Sequence, residues 1–461
     1  MSLTAAFATT LDGLHRAGLD PAAANAARTL VLDGLAVAAL GAGEAGPRIL
    51  AGLAATPADG PSATLIGDRR RVTPADAARV NGASMHVLDF EPMWNPANHS
   101  LSTVLPAILA LAEAGLPASP VPLGLRLMQA LAIGIEAQER LRLSSGQFEP
   151  GKLVFHPPGA VGAIGSAVAC GLLLGLDPHT LTHAIGIAAS RACGVQANIG
   201  SMTKALHCGQ AAASGLEAAR MAAAGFTADA DALGDPRGYA RAFFGDGFVA
   251  DELTRSHAAL QIVAPGPAYK LNPSQYGTHF VITAALAARA NIPPGSRIAR
   301  VTIVAPPMPY VDRPAPATGL AGKFSFQYTA AAALLDGSVT VASFTDARRF
   351  APDMVALLPL VTVVADPARQ GRFDAMTVDV AVEHAGGRAE GSCDGPPGIW
   401  GRPVTADRLA AKARDCLTAV LPATAAADVV DTAAGFDRLE AVQLIRLLAT
   451  LAEATQHGPA A

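Results

Sequence analysis

Four short segments gather imidazole, ammonium, carboxylate and amide groups in surroundings otherwise rich in Ala and Leu. Burying polar groups is unfavourable unless they find partners, so such clusters need a reason. The densest is His86-Val-Leu-Asp89-Phe-Glu91-Pro-Met93-Trp94-Asn95-Pro-Ala-Asn98-His99, with two imidazoles, two carboxylates and two amides in fourteen residues. It precedes the apolar helical stretch 102–114, and a loop ahead of a helix N-terminus is well placed to meet an anion. His156 stands before Pro157-Pro158-Gly159, at the start of a second helical stretch. Lys204 and His207 lie three residues apart, on one face of a helical turn. The fourth segment, Tyr269 to His279, carries Lys270, Asn272 and Gln275. Taken singly, Asp89 or Asn98 could simply cap a helix, His86 could pack in the core, and Lys204 could sit on a solvent-exposed first turn.

This inventory suits general acid–base chemistry on a small anionic substrate, with ammonium groups absorbing carboxylate charge. No Walker-type phosphate loop, no G-x-G-x-x-G after a strand and no G-x-S-x-G elbow occurs. Removing a proton beside a carboxylate creates further negative charge. Lys204 and Lys270 are placed to hold it while a His or Asp moves the proton. Each well-placed acid or base contributes about 10²–10⁴-fold. Lys204→Ala is expected to cut turnover and barely alter folding, on the premise that Lys204 is a lone charge in a polar cleft.

The elements that position these groups are mostly helical. Apolar residues recur at helical spacing over 22–40, 74–87, 102–114, 123–141, 160–174, 180–192 and 208–224. Pro21 after Asp20 marks a helix start, and Gly225 a helix end. Ala264-Pro265-Gly266-Pro267 is a break. Beyond it β-branched runs at 298–304, 339–341 and 377–382 read as strands, mixed with helices at 278–289 and 328–335. Helices return at 406–420 and 438–451. The fold class is therefore mainly α. A large all-helical domain (1–263 and 404–461) carries a smaller α+β domain (265–403). The tail His457–Ala461 reads as disordered.

At 461 residues the chain exceeds a single compact core. Only 16% of its residues are charged, against 51% hydrophobic, which points to a buried subunit interface, most simply a homodimer. The net charge of −4 and the lack of any basic block give nucleic-acid binding no support. The densest basic run, Arg69-Arg70-Arg71, reads as a solvated turn. The five cysteines include no Cys-x-x-Cys pair, so no zinc or iron–sulfur site is signalled and no metal or other cofactor is expected. An odd count suits free thiols in a reducing cytoplasm. No secretory signal is visible. The longest apolar runs carry many Gly and Ala and read as buried helices, not membrane spans.

The chain resembles the MmgE/PrpD family. The markers are Asn81-Gly-Ala-Ser-Met-His-Val-Leu-Asp-Phe90, His156 ahead of Gly162-Ala-Ile-Gly-Ser-Ala, Lys204-Ala-Leu-His207, and Phe324-Ser-Phe-Gln-Tyr328 followed by Leu335-Asp-Gly337. That family includes 2-methylcitrate dehydratases, cis-aconitate decarboxylases and iminodisuccinate epimerases. The resemblance implies a helical domain with an α+β lid, an active site between them, no cofactor and a homodimer. It implies pocket roles for Asp89, His99, His156, Lys204, His207 and Lys270, with Tyr310 as the lid tyrosine. Trp94 and His99 look closer to the decarboxylase branch. That branch is expected to carry a second acidic residue and a threonine soon after Asp-Phe, and a histidine five residues after Lys270. Here Pro92 and Met93 follow Glu91, and Gln275 replaces that histidine, which cannot donate a proton as His can. Met93 and Gln275 thus point away from decarboxylation itself. A lyase acting on a citrate- or aconitate-like acid is the first expectation. An epimerase of a dicarboxylate is the second, and a non-catalytic helical binding protein the third.

Overall fold

The structure is a computed structural model in which residues 1–455 are described. The tail expected to be disordered lies outside them. The first part contains α1 (Leu3–Ala17), α2 (Pro21–Gly41), α3 (Ala45–Leu53), β1 (Ala63–Leu65), β2 (Asp68–Val72), α4 (Pro74–Val87), α5 (Leu101–Ala114), α6 (Leu123–Ser144), α7 (Pro157–Leu173), α8 (Pro178–Ala189), α9 (Thr203–Ala223) and α10 (Tyr239–Phe244). Local chemistry sets the helix limits. Asp20 accepts from the Ala23 amide with Pro21 in the first turn of α2, and Thr73 does the same for Asp76 ahead of α4. After α9, Gly225 takes φ +89° and the Phe226 amide bonds back to the Met221 carbonyl, an end that favours glycine.

Helix α9 is packed between α4 and α7 almost backbone to backbone. A Cβ on Gly209 would stand 2.0 Å from the Arg79 carbonyl oxygen of α4, and one on Gly215 would stand 2.3 Å from Ser166 Cβ of α7. Only glycine permits such approach. The C-terminal end of α4 thereby meets the N-terminal ends of α7 and α9. Helix α2 is long and apolar enough to cross a membrane by length and composition, but its 30–41 half is buried under neighbouring helices.

The second part holds α11 (Tyr276–Arg289), β3 (Ile298–Ala305), α12 (Gly319–Gly322), α13 (Phe326–Asp336), α14 (Asp346–Arg349), α15 (Pro352–Leu357), β4 (Val361–Ala365), β5 (Val378–His384) and β6 (Gly387–Cys393). The strands form one sheet in the order β4-β3-β5-β6, with β3 parallel to β4 and antiparallel to β5. Alternate residues Val301, Ile303, Val378, Val380 and Val382 are buried. Helix α11 lies so close to β6 that a Cβ on Gly391 would meet the Ala284 carbonyl at 2.1 Å. The chain ends in α16 (Ala406–Thr418), α17 (Ala423–Ala434) and α18 (Ala441–Ala452). Leu417, Val429 and Leu447 of these helices share a core with Leu30 and Val37 of α2.

The structure is mainly helical, as expected, with three local corrections. The first part is not all-helical, because β1 and β2 form an antiparallel hairpin. Arg69, Arg70 and Arg71 lie in β2 and not in a turn; they are solvated, and they pair with Glu453, Asp68 and Glu113. The run 339–341 is not a strand: Thr340 caps a short 3-10 turn, Val341–Phe344, whose polar side chains close a capping box.

Candidate active site

The loop between α4 and α5 carries the densest polar cluster. It is anchored from the far side of the break, since Met93 and Ala268 exchange backbone hydrogen bonds of 3.0 and 2.7 Å. At its start Asp89 takes φ +52°, the only non-glycine residue with positive φ among those described. Asp tolerates this region better than most residues, yet the conformation is strained and needs outside support.

That support comes from lysines. Lys204 Nζ donates to Asp89 Oδ2 at 2.8 Å. Lys270 Nζ donates to Oδ1 and, at 3.1 Å, to the Asp89 carbonyl. Burial alone would raise the Asp89 carboxyl, but the two ammoniums more than reverse this and hold it well below the usual carboxylate range. Lys270 itself is lowered by burial, against the pull of Asp89.

Four imidazoles stand beside this pair. His86 donates through Nδ1 to Glu91, whose carboxylate also accepts from Ser102 Oγ at 3.1 Å and lies 3.4 Å from His99 Nδ1. Burial lowers His86 to about 4 and pushes His99 and His156 down as well. Burial also pushes Glu91 up, but the neighbouring imidazoles outweigh it and hold the carboxyl well below its usual range. The rings are therefore neutral at neutral pH and the carboxylates anionic. His156 and His207 face one another through Nδ1 at 3.2 Å.

The crevice is lined by Asp89, Met93, His99, His156, Lys204, Gln275 and Tyr310, with apolar walls from Phe324 and Phe373. Gln275 donates to the Tyr310 hydroxyl at 3.3 Å. Helices α5, α7, α9 and α11 all begin here: His99 is two residues ahead of α5, His156 immediately precedes α7, Lys204 lies in the first turn of α9 and Gln275 immediately precedes α11. The positive dipole ends of these helices share one opening, an arrangement suited to an anion.

Not every residue singled out from sequence reaches the crevice. Lys270 sits directly behind Asp89, and His207 behind His156. Trp94 is fully buried in the helical core and gives its indole N–H to the Gln261 carbonyl, so it props the loop from below. Lys204 is buried and paired, not a lone charge, which removes the premise for expecting little effect on folding. Other groups were not assigned roles from sequence. Glu91 orients His86 and His99. Buried Lys323 donates to the Leu88 carbonyl at 3.1 Å and is lowered by burial to about 8. Lys323 immediately precedes the Phe324–Tyr328 marker, a position that could have drawn attention to it. Burial lowers His279 to about 3, and its ring stacks on Tyr276.

His86, Glu91 and His99 offer ligand atoms within 4.8 Å of one another, the residue types that could hold a divalent cation. The direct His86–Glu91 hydrogen bond already engages two of those groups.

Helices that open onto one crevice, a two-part chain and this lysine–histidine–carboxylate set define the class. Residues 5–250 match the MmgE/PrpD N-terminal domain and residues 273–435 the MmgE/PrpD C-terminal domain, so the chain belongs to the MmgE/PrpD family. Within it, the chain is 33% identical to cis-aconitate decarboxylase of Homo sapiens over 423 residues, which cover 90% of this chain and 87% of that protein. The mouse enzyme of the same name gives 33% over 423 residues, 90% of this chain and 86% of its own. A cis-aconitate decarboxylase of Aspergillus terreus is 32% identical over 206 residues, 44% of this chain and 42% of its own.

Proposed function

We propose that this protein is a lyase that removes carbon dioxide from cis-aconitate or a close tricarboxylate, using its own side chains and no cofactor. The observation that carries the reading is the convergence of four helix N-termini and a lysine-held carboxylate on one crevice. Lys204 and Lys270 bring two ammoniums to the Asp89 carboxylate, and Lys204 itself lines the crevice where it can meet a carboxylate of a bound polyanion. The names of the relatives point the same way.

In cis-aconitate the bond from the CH₂ carbon to its carboxylate breaks and carbon dioxide leaves. The electron pair forms a new double bond to the central carbon. The old double-bond pair takes a proton at the far carbon. The ammoniums stabilise charge that develops beside the remaining carboxylates. His99 or His156 supplies the proton; both line the crevice, and a bound polyanion favours the imidazolium form. In the same reading residues 265–403 act as a lid on the helical part made by 1–263 and 404–461, and the protein works as a cytoplasmic homodimer. The low charged fraction and five free cysteines support the last point.

A second reading, epimerisation of a dicarboxylate, is favoured by one observation. The His99 and His156 rings both line the crevice with centroids 6.5 Å apart, as two acid–base groups on opposite faces of one carbon would. One experiment tests both readings: the purified protein with cis-aconitate, citrate, 2-methylcitrate and iminodisuccinate in deuterated buffer, followed by NMR. Decarboxylation gives carbon dioxide and one deuterium in the product. Deuterium entering unchanged substrate selects the epimerase, and a folded protein silent on all four acids would sink both.

A further inference from the structure

Three buried lysines from three distant segments donate to three consecutive backbone carbonyls. Lys323 Nζ reaches Leu88 O at 3.1 Å, Lys270 Nζ reaches Asp89 O at 3.1 Å, and Lys412 Nζ reaches Phe90 O at 2.7 Å. Lys270 also binds the Asp89 carboxylate and belongs to the site already described. Lys323 and Lys412 do not line the crevice.

The location explains why cations are needed. Helix α4 ends at Val87, so these carbonyls lie at its C-terminal end, where backbone oxygens lack helical partners and the dipole is negative. An anionic Asp89 at that end is doubly unfavourable, and its φ of +52° adds strain. Ammonium groups are the natural partners for such carbonyls. Each lysine is held by a further contact. Lys412, on α16, pairs with Asp33 of α2 at 2.8 Å and lies 4.0 Å above the Phe90 ring. Lys323 lies 5.5 Å above the Phe344 ring.

We propose that Lys323 and Lys412 are positioning residues, which clamp the Leu88–Phe90 carbonyls so that the turn presents the Asp89 carboxylate to Lys204 and Lys270. The role in catalysis rests on reading the crevice as the active site. The clamp itself does not.

The test uses Lys323→Met and Lys412→Met in the full chain, with melting temperature recorded first. At a temperature well below melting, kcat on cis-aconitate is expected to fall about 10- to 100-fold, as small displacements of a catalytic group do. KM is expected to change by less than about threefold. Hydrogen exchange at the amides of 89–91 is expected to quicken in the folded variants. Wild-type kcat together with unchanged exchange would overturn the proposal, as would activity lost only in proportion to the unfolded fraction. Should a methionine variant not fold, Lys323→Gln and Lys412→Gln, which keep a neutral donor, decide: faster exchange and lower kcat support the clamp, and wild-type values of both overturn it. A wild-type protein inactive on cis-aconitate would defeat the functional reading alone, because exchange at 89–91 still reports on the clamp.

Discussion

His156 Nδ1 and His207 Nδ1 stand 3.2 Å apart, so two identical atoms of two imidazoles share a single hydrogen. Two bare nitrogens would repel, and two N–H groups would clash. While both rings are neutral, one Nδ1 carries the hydrogen and the other accepts it, which forces opposite tautomers. The ring that lines the crevice, His156, therefore has its outward nitrogen set by a residue that does not line it. His207→Phe is expected to lower kcat by about tenfold and His156→Phe by about 10²–10⁴-fold. Steady-state kinetics on both variants checks the order, and equal losses would count against this division of labour.

Asp89→Asn keeps shape and tolerance of the left-handed region but leaves two buried ammoniums without their anion. Breaking such a pair typically costs about 3–5 kcal/mol. For a chain of 461 residues that corresponds to a fall in Tm of roughly 3–5 °C, readable by calorimetry. Unchanged Tm would mean that the ion pairs add nothing.

Lys204→Ala is expected to lower kcat about 10²-fold or more and, because its partner is buried Asp89, to lower Tm as well. The fall in Tm should be smaller than for Asp89→Asn, since Lys270 remains on the carboxylate. A variant as stable as wild type would restore the picture of a solitary charge.

Acid should weaken the fold between pH 6.5 and 4. Burial lowers His86 to about 4 and His279 to about 3, from an ordinary 6.5. In that window the unfolded chain binds protons that the folded chain refuses. The stabilisation is complete above pH 6.5 and is lost as pH falls. Glu139, raised by burial to about 7, works in the opposite sense between 4.5 and 7. Urea melts of wild type and His279→Phe at pH 7.5, 6 and 5 separate the two, and the variant should show the shallower acid limb.

Gly215→Ala would drive a methyl group to 2.3 Å from Ser166 Cβ, so α7 and α9 must part. Overpacking of this kind costs about 1–3 kcal/mol, and the same shift should disturb His156 and His207. Gly13→Ala, exposed on α1 with nothing within 4 Å, is the control. It is expected to hold or raise Tm by virtue of helix propensity.

Much of this was legible in the sequence because period and punctuation agree. The α2 and α4 starts follow from Asp20-Pro21 and Thr73-Pro74, and the polar clusters do meet in space. Other features depend on tertiary contact and leave no local trace. The β1–β2 hairpin is short and charged, so it lacks the apolar alternation that marks a strand. Trp94 resembles a pocket aromatic until its N–H is seen to be spent on Gln261. Lys412 looks like one more charge on an amphipathic helix, and only the fold brings it across 322 positions to Phe90.

That last contact sets an order of events during synthesis. When residue 270 has left the ribosome, Asp89, His99, His156 and Lys204 already exist, but the carbonyl of Phe90 still awaits a lysine that lies more than a hundred residues downstream. Domains tend to fold as they emerge, N-terminal part first. Here the Leu88–Phe90 turn gains its last lysine only after α16 has packed against α2, so a nascent or truncated chain that ends before Lys412 acquires most of its helices while the Phe90 carbonyl lacks that partner.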